Sequence, residues 1–223
     1  MTDATGKPRM FKLLVAMGLV AGGLMIWGLW PSRPTALGTD IRSHISTPAS
    51  LYLSLNGRKI VDGSIRGRAE GGGATYGSRW GDALNWDLAW YDILADRSYR
   101  LKFTISASEL ATLDVDGRDA TINILVGPGA DIVVTTAHPE VARLIALRMG
   151  KELAELKDAD SVILRELCAE PMAADDPLTQ KLKETSQANG WADQLKESME
   201  NRARFLSNNE APQPRCSGTG GSQ

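Results

Sequence analysis

Residues 99–105 read Tyr-Arg-Leu-Lys-Phe-Thr-Ile, and this stretch decides the fold class. Tyr99, Leu101, Phe103 and Ile105 alternate with Arg100, Lys102 and Thr104. A period of two belongs to a half-buried strand, because a helix would space its apolar residues three and four apart. The same alternation stands just upstream at Leu84, Trp86, Leu88 and Trp90, with Asn85, Asp87 and Ala89 between. Further upstream, Leu51, Leu53 and Leu55 alternate with Tyr52 and Ser54, run into Asn56-Gly57, and continue as Arg58-Lys59-Ile60-Val61. Asn-Gly between two such runs predicts a hairpin, since a type I′ turn needs positive φ at both central residues. Downstream, Leu113-Asp114-Val115, the Asp116-Gly117 turn and Ile122, Ile124 and Val126 predict a second hairpin, and Ala130–Thr135 a further strand.

The pattern then changes. Pro139 suits the first turn of a helix, after which Val141, Leu144, Ile145, Met149, Leu153 and Leu156 recur near the helical period. Val162–Cys168 reads as more helix, and Leu178 and Leu182 resume it beyond Pro171 and Pro177. After Asn189-Gly190, Trp191, Leu195, Met199 and Leu206 line one face of a last helix. That face either closes the domain's own sheet or docks on a protein partner or a second copy. Strands first and helices after predict an α+β domain, an antiparallel sheet followed by C-terminal helices.

The N-terminal flank sets the protein's class. Leu13–Trp30 is 18 residues without a charge, about 27 Å long as a helix against a hydrocarbon core of roughly 30 Å. Trp27 and Trp30 stand at its outer end, where aromatic rings prefer the headgroup level. A cleaved signal peptide would have a shorter core and small residues at its end; here Trp-Gly-Leu-Trp-Pro-Ser-Arg-Pro follows. Lys7, Arg9 and Lys12 precede the run and Arg33 alone follows closely, so the N-terminus is expected in the cytoplasm and the rest in the periplasm. Gly18 and Gly22 form a GxxxG pair, which is either a helix-packing face or the ordinary glycine content of such spans. The expected organisation is a cytoplasmic tail at 1–12, a transmembrane helix at 13–30 in the inner membrane and a linker at 31–48. An extracytoplasmic domain at 49–207 and a disordered tail at 208–223 complete it.

Composition narrows the chemistry. A net charge of −2 argues against nucleic acid, whose phosphates need a basic surplus. Cys168 and Cys216 are the only cysteines, so neither a disulfide framework nor a zinc pattern is present, and the two are either free or paired. The glycine-rich stretch 66–81 lacks the spacing of a phosphate-binding loop and reads as an exposed loop. His44 falls in the linker and His138 at a helix start, and no GxSxG, HExxH, SxxK or CxxC occurs. Asp114, Asp116 and Asp119 surround a glycine, but their spacing departs from a calcium loop and fits a turn. No cofactor and no metal is expected. Trp80, Trp86, Trp90 and Tyr91 crowd within twelve residues and are candidates for a binding platform, although alternate aromatics are also what a buried strand face looks like.

The order of elements, with Ser106–Leu110, Val115–Gly117, Thr121–Ile124 and Ala188–Gly190, resembles the bacterial membrane-anchored family catalogued as domain of unknown function 4230. The resemblance spans about residues 85–206. It implies topology and not chemistry, and Val126-Gly127-Pro128-Gly129 departs from the family's pattern. The expected function is a membrane-anchored extracytoplasmic binding or scaffold protein. The alternative is an envelope-acting hydrolase using Asp82, Asp87 and Asp92 beside the tryptophans.

Overall fold

The alternation at 84–90 and 99–105 is realised as two adjacent antiparallel strands, β5 (Ala83–Asp92) and β6 (Arg97–Ser106), in register Trp86↔Phe103 and Trp90↔Tyr99. The computed structural model describes residues 36–43, 48–65, 70–75, 83–113, 119–148, 161–188, 191–210 and 213–216, all within the unit Arg33–Gln223. The expected span 13–30 with Gly18 and Gly22, and also His44, Trp80, Asp82, Asp114 and Asp116, lie outside the described residues. Among the described residues no helix is long and apolar enough to cross a membrane.

Among the described residues the domain is mostly β, with three α-helices added. Beside β5 lies β2 (Ala49–Leu55), then β3 (Arg58–Ile65). The β2–β3 turn has Asn56 at φ 49° and Gly57 at φ 76°, the two positive values that the dipeptide predicts. The two-residue strand β10 (Glu170–Pro171) pairs with the other side of β6, giving the sheet order β10-β6-β5-β2-β3. A second sheet has the order β4-β1-β7-β8-β9, from β1 (Ala36–Ser43), β4 (Glu70–Thr75), β7 (Asp119–Val126), β8 (Asp131–Thr136) and β9 (Val162–Cys168). Apolar side chains of both sheets form one buried cluster that includes Leu37, Ile41, Leu53, Trp86, Trp90, Ile122 and Ile132.

Several expectations are corrected here. There are two sheets and not one, and they are not wholly antiparallel, since β1 runs parallel to β7. The supposed linker 31–48 contains β1, in which Leu37, Thr39 and Ile41 turn inward while Gly38 and Arg42 are exposed. The glycine-rich loop contains β4, paired with β1 from Ala36↔Thr75 to Ile41↔Glu70. Val162–Cys168 is β9 and not helix; its β-branched Val162 and Ile163 favour an extended backbone, and β8 supplies the partner. The tail is not wholly free. Cys168 and Cys216 form a disulfide, and the buried Asp131 carboxylate accepts hydrogen bonds from the backbone N–H of Arg215 (2.8 Å) and of Cys216 (2.7 Å).

The helices follow. α1 (Pro139–Ala146) starts where its proline predicts, with His138 as N-cap, Nδ1 accepting from the Glu140 N–H at 3.2 Å. α2 (Pro177–Ala188) seals the outer face of β2 and β5, where Leu178 and Leu182 meet Tyr52, Ala89, Tyr91 and Ile93. Lys181 of α2 ties to Asp62 of β3 at 2.8 Å. α3 (Trp191–Asn208) turns Ser198 fully inward and leaves Leu195 and Leu206 half-buried. On the same helix Met199 is 42% exposed and Phe205 38%.

Candidate functional site

Trp86 and Trp90 are core and not platform. Trp86 and Trp90 are each 1% exposed and point between the sheets, Trp86 stacked on Phe103 (6.1 Å between centroids) and Trp90 on Tyr99 (5.2 Å). Tyr91 lies on the opposite face beneath α2, its hydroxyl donating to Asp96 at 2.8 Å and its ring under Lys183 Nζ. Burial and the Asp96 carboxylate push that phenol up to about 12. As binding candidates these three are corrected, because the pleat sends them to surfaces that other elements cover.

The carboxylates proposed for hydrolysis are also committed elsewhere. Asp87 faces away from Trp86, in a two-pronged ion pair with Arg100 at 2.8 and 2.6 Å. Arg100 holds its carboxyl below the usual range, against an opposing push from burial. Asp92 caps a turn, Oδ1 accepting from the N–H groups of Leu94 (2.9 Å) and Ala95 (3.1 Å), and burial pushes its carboxyl up. A hollow of about 360 Å³ touches Trp86, Phe103 and Asp87, and the single carboxylate in it is the one Arg100 holds.

A larger cleft, of about 560 Å³, opens where β6 hands over to the second sheet. Ser106 ends β6 and caps a 3₁₀ turn, Ala107–Glu109, with its backbone N–H donating to Glu109 Oε1 at 2.8 Å. Glu109 in turn takes both prongs of Arg165 from β9, at 2.8 and 3.0 Å. Arg165 and then the Ser106 N–H hold the Glu109 carboxyl below its ordinary value. Thr136, at the end of β8, accepts from the Ala111 N–H (3.0 Å) and donates to the Thr121 carbonyl (2.9 Å), clipping the segment after the 3₁₀ turn onto the sheet. Leu110, Ala111, Pro139, Ala142, Leu147 and Val162 give the cleft a largely apolar lining, with Ser108, Glu109, Thr112, Thr136 and Arg143 as its polar members. Arg143 is paired with Glu140 at 2.6 and 2.8 Å. Leu147 and Val162 are 46% and 37% exposed, so the cleft presents uncovered apolar surface.

Sequence reasoning missed this site. Its residues come from the 3₁₀ turn, the end of β8, both ends of α1 and the start of β9, and the misread strand β9 hid the last of these. Of the expected docking face of α3, Leu195 and Leu206 are half-buried and Met199 is in the open, while Trp191 begins the helix. Among the described residues no group of three or more His, Cys, Asp or Glu could hold a metal ion.

No protein-family model matches the chain, and no curated protein matches it. Among solved structures it is similar to the 5-hydroxyisourate hydrolase of Klebsiella pneumoniae. The match covers 47% of this chain and 99% of that one, at 17% identity and a TM-score of 0.27, a likeness too slight to bear on fold or chemistry.

The ion pairs give the domain a defined response to acid. Asp87 and Glu109 have lowered folded-state values, so their stabilisation is present above the unfolded value near pH 4 and is lost as pH falls through the folded one. Asp92, raised, works in the opposite sense. Asp62, Asp96 and Glu140, each beside a Lys or Arg, are lowered as well, so the lowered carboxyls outnumber the raised one and the melting temperature should fall below about pH 4. Arg100→Gln should flatten that fall, and an unchanged acid profile in this variant would remove the Asp87 pair from the account.

Proposed function

We propose that the chain is a single-pass inner-membrane protein, anchored through Leu13–Trp30, whose domain lies in the periplasm and acts by binding a protein partner at the 560 Å³ cleft. The observation that carries binding over catalysis is the state of the carboxylates at that cleft. Glu109 is fixed by Arg165, and the neighbouring Glu140 by Arg143, so both are held as acceptors while the remaining lining is mainly apolar. Such a surface gains free energy from covering carbon, and both of these carboxylates are committed to ion pairs. The Cys168–Cys216 disulfide supports the location, since such bonds persist in oxidising compartments. Membrane anchoring also agrees with the family that the chain's motifs resemble.

The location is tested with an alkaline phosphatase reporter fused after Gln223. An active reporter that stays in the membrane fraction after an alkaline wash is expected. An inactive reporter, or release of a soluble fragment, would overturn it. Binding is tested with twelve-residue peptides selected from a random display library against the full chain in lipid nanodiscs. Leu147→Asp removes a side chain worth about 1.5–3 kcal/mol when covered, so affinity should fall roughly tenfold or more with the melting temperature unchanged. If no selected peptide responds to Leu147→Asp, the cleft is not the site.

A further inference from the structure

The edges of the two sheets are not alike. β10 ends in Pro171, which has no N–H to offer a further strand. β3 carries Lys59 and Asp62, the latter also tied down by Lys181 of α2. Both are ordinary ways of closing an edge. The other sheet ends in β4 on one side and β9 on the other, and among the described residues no strand pairs with the outer side of β9. Its second half carries Arg165 and Glu166, ion-paired to Glu109 and Arg215. Its first half has neither proline nor charge, and Val162 and Ile163 are 37% and 58% exposed.

The register of β9 gives this open half a direction. Val134 pairs with Arg165 and Thr135 with Ile163, so Leu164 is an extra residue, a bulge in β9. A bulge shifts the inward–outward alternation by one position. Val162 therefore stands opposite Thr136 and shares its face, which is the cleft, while Ile163 shares the outer face of Thr135. Without the extra residue the two side chains would be exchanged. Any strand laid along β9 would place its residue opposite Val162 on the cleft face as well, since directly opposed residues point to the same side.

We infer that the partner of the cleft is an extended segment of another protein that adds to β9 as a further strand. One apolar side chain, opposite Val162, enters the cleft beside Leu147, and a second lies over Ile163. Backbone hydrogen bonds to the β9 edge supply the seating, and the cleft supplies the choice of side chain. Arg148, the residue after Leu147, is exposed and forms no ion pair among the described residues, so an acidic neighbour of the entering side chain is favoured.

This inference rests on the cleft being the binding site, and the selected peptides separate the two. The tightest Leu147-sensitive peptide is resynthesised with N-methyl groups at alternate backbone nitrogens, in both phases. One phase should lose binding by about tenfold or more and the other keep it, because alternate N–H groups of a strand face the same neighbour. Val162→Lys/Ile163→Lys, at exposed positions where folding is checked by an unchanged melting temperature, should lose binding to the same extent. Peptides that respond to Leu147→Asp but tolerate methylation in both phases and the lysine pair would overturn strand addition and leave the cleft standing. If instead the lysine pair converts a dimeric mass in nanodiscs to a monomeric one and no peptide is affected, a second copy occupies the edge and the inference fails.

Discussion

Trp86→Ala should destabilise the domain by about 3–5 kcal/mol, the range for emptying a fully buried aromatic site. Trp86 is 1% exposed, stacks on Phe103 and belongs to the cluster shared by both sheets. The collapse that could soften the loss is restricted, because its neighbours are fixed by strand register on both sides, Leu55 from β2 and Phe103 from β6. Leu94→Ala, at a side chain 40% exposed, serves as the comparison and should change stability by no more than about 0.5 kcal/mol. Urea unfolding followed by circular dichroism measures both. If Trp86→Ala unfolds at the same midpoint as the parent chain, the ring is not in the core, and a surface role for the tryptophans returns.

Removal of the disulfide is the second large effect. Cys168 and Cys216 are 48 residues apart, and closing a loop of that length restricts the unfolded chain by about 4 kcal/mol in the entropy model. The double variant Cys168→Ser/Cys216→Ser should lose a comparable amount. The native state has its own stake in the bond, because the tail brings the two backbone N–H groups that satisfy Asp131, which is 3% exposed. A tail that departs leaves a buried carboxylate with those bonds broken. The loss from Asp131→Ala and the loss from the serine pair should therefore overlap and add to less than their sum in a double-mutant cycle. Strict additivity would show that the tail stays in place without the disulfide.

What was legible in the sequence was whatever an alternating apolar pattern could carry. β2, β5 and β6 have one polar and one apolar face over six residues or more, and the Asn56-Gly57 turn announces its own backbone. β1 was not legible because only Leu37 and Ile41 are large and apolar among its eight residues, and its inward position between them is a threonine. β4 reads Glu-Gly-Gly-Gly-Ala-Thr and takes its place from pairing with β1, not from any property of its own. β9 reads Val-Ile-Leu-Arg-Glu-Leu-Cys, in which Leu, Arg and Glu suit a helix and the β-branched pair a strand, and pairing with β8 goes with the latter. The anchored tail gave no apolar signal at all, since backbone N–H groups and a sulfur bridge hold it. The cleft went unseen for the same reason as β9: its lining is gathered from separate elements, and its shape depends on a one-residue bulge.

The parallel pairing of β1 with β7 has a consequence in time. Ala36 meets Asp119 and Ser43 meets Val126, partners roughly 80 residues further along the chain, whereas β2, β3, β5 and β6 assemble from near neighbours. The two sheets therefore mature at different moments. β2, β3, β5 and β6 all precede β7 in the chain, whereas β1 meets its parallel partner only when β7 is available, and the last fastening of that sheet needs Cys216. Until then the inner faces of the early sheet, Trp86 and Trp90 among them, are without their cover.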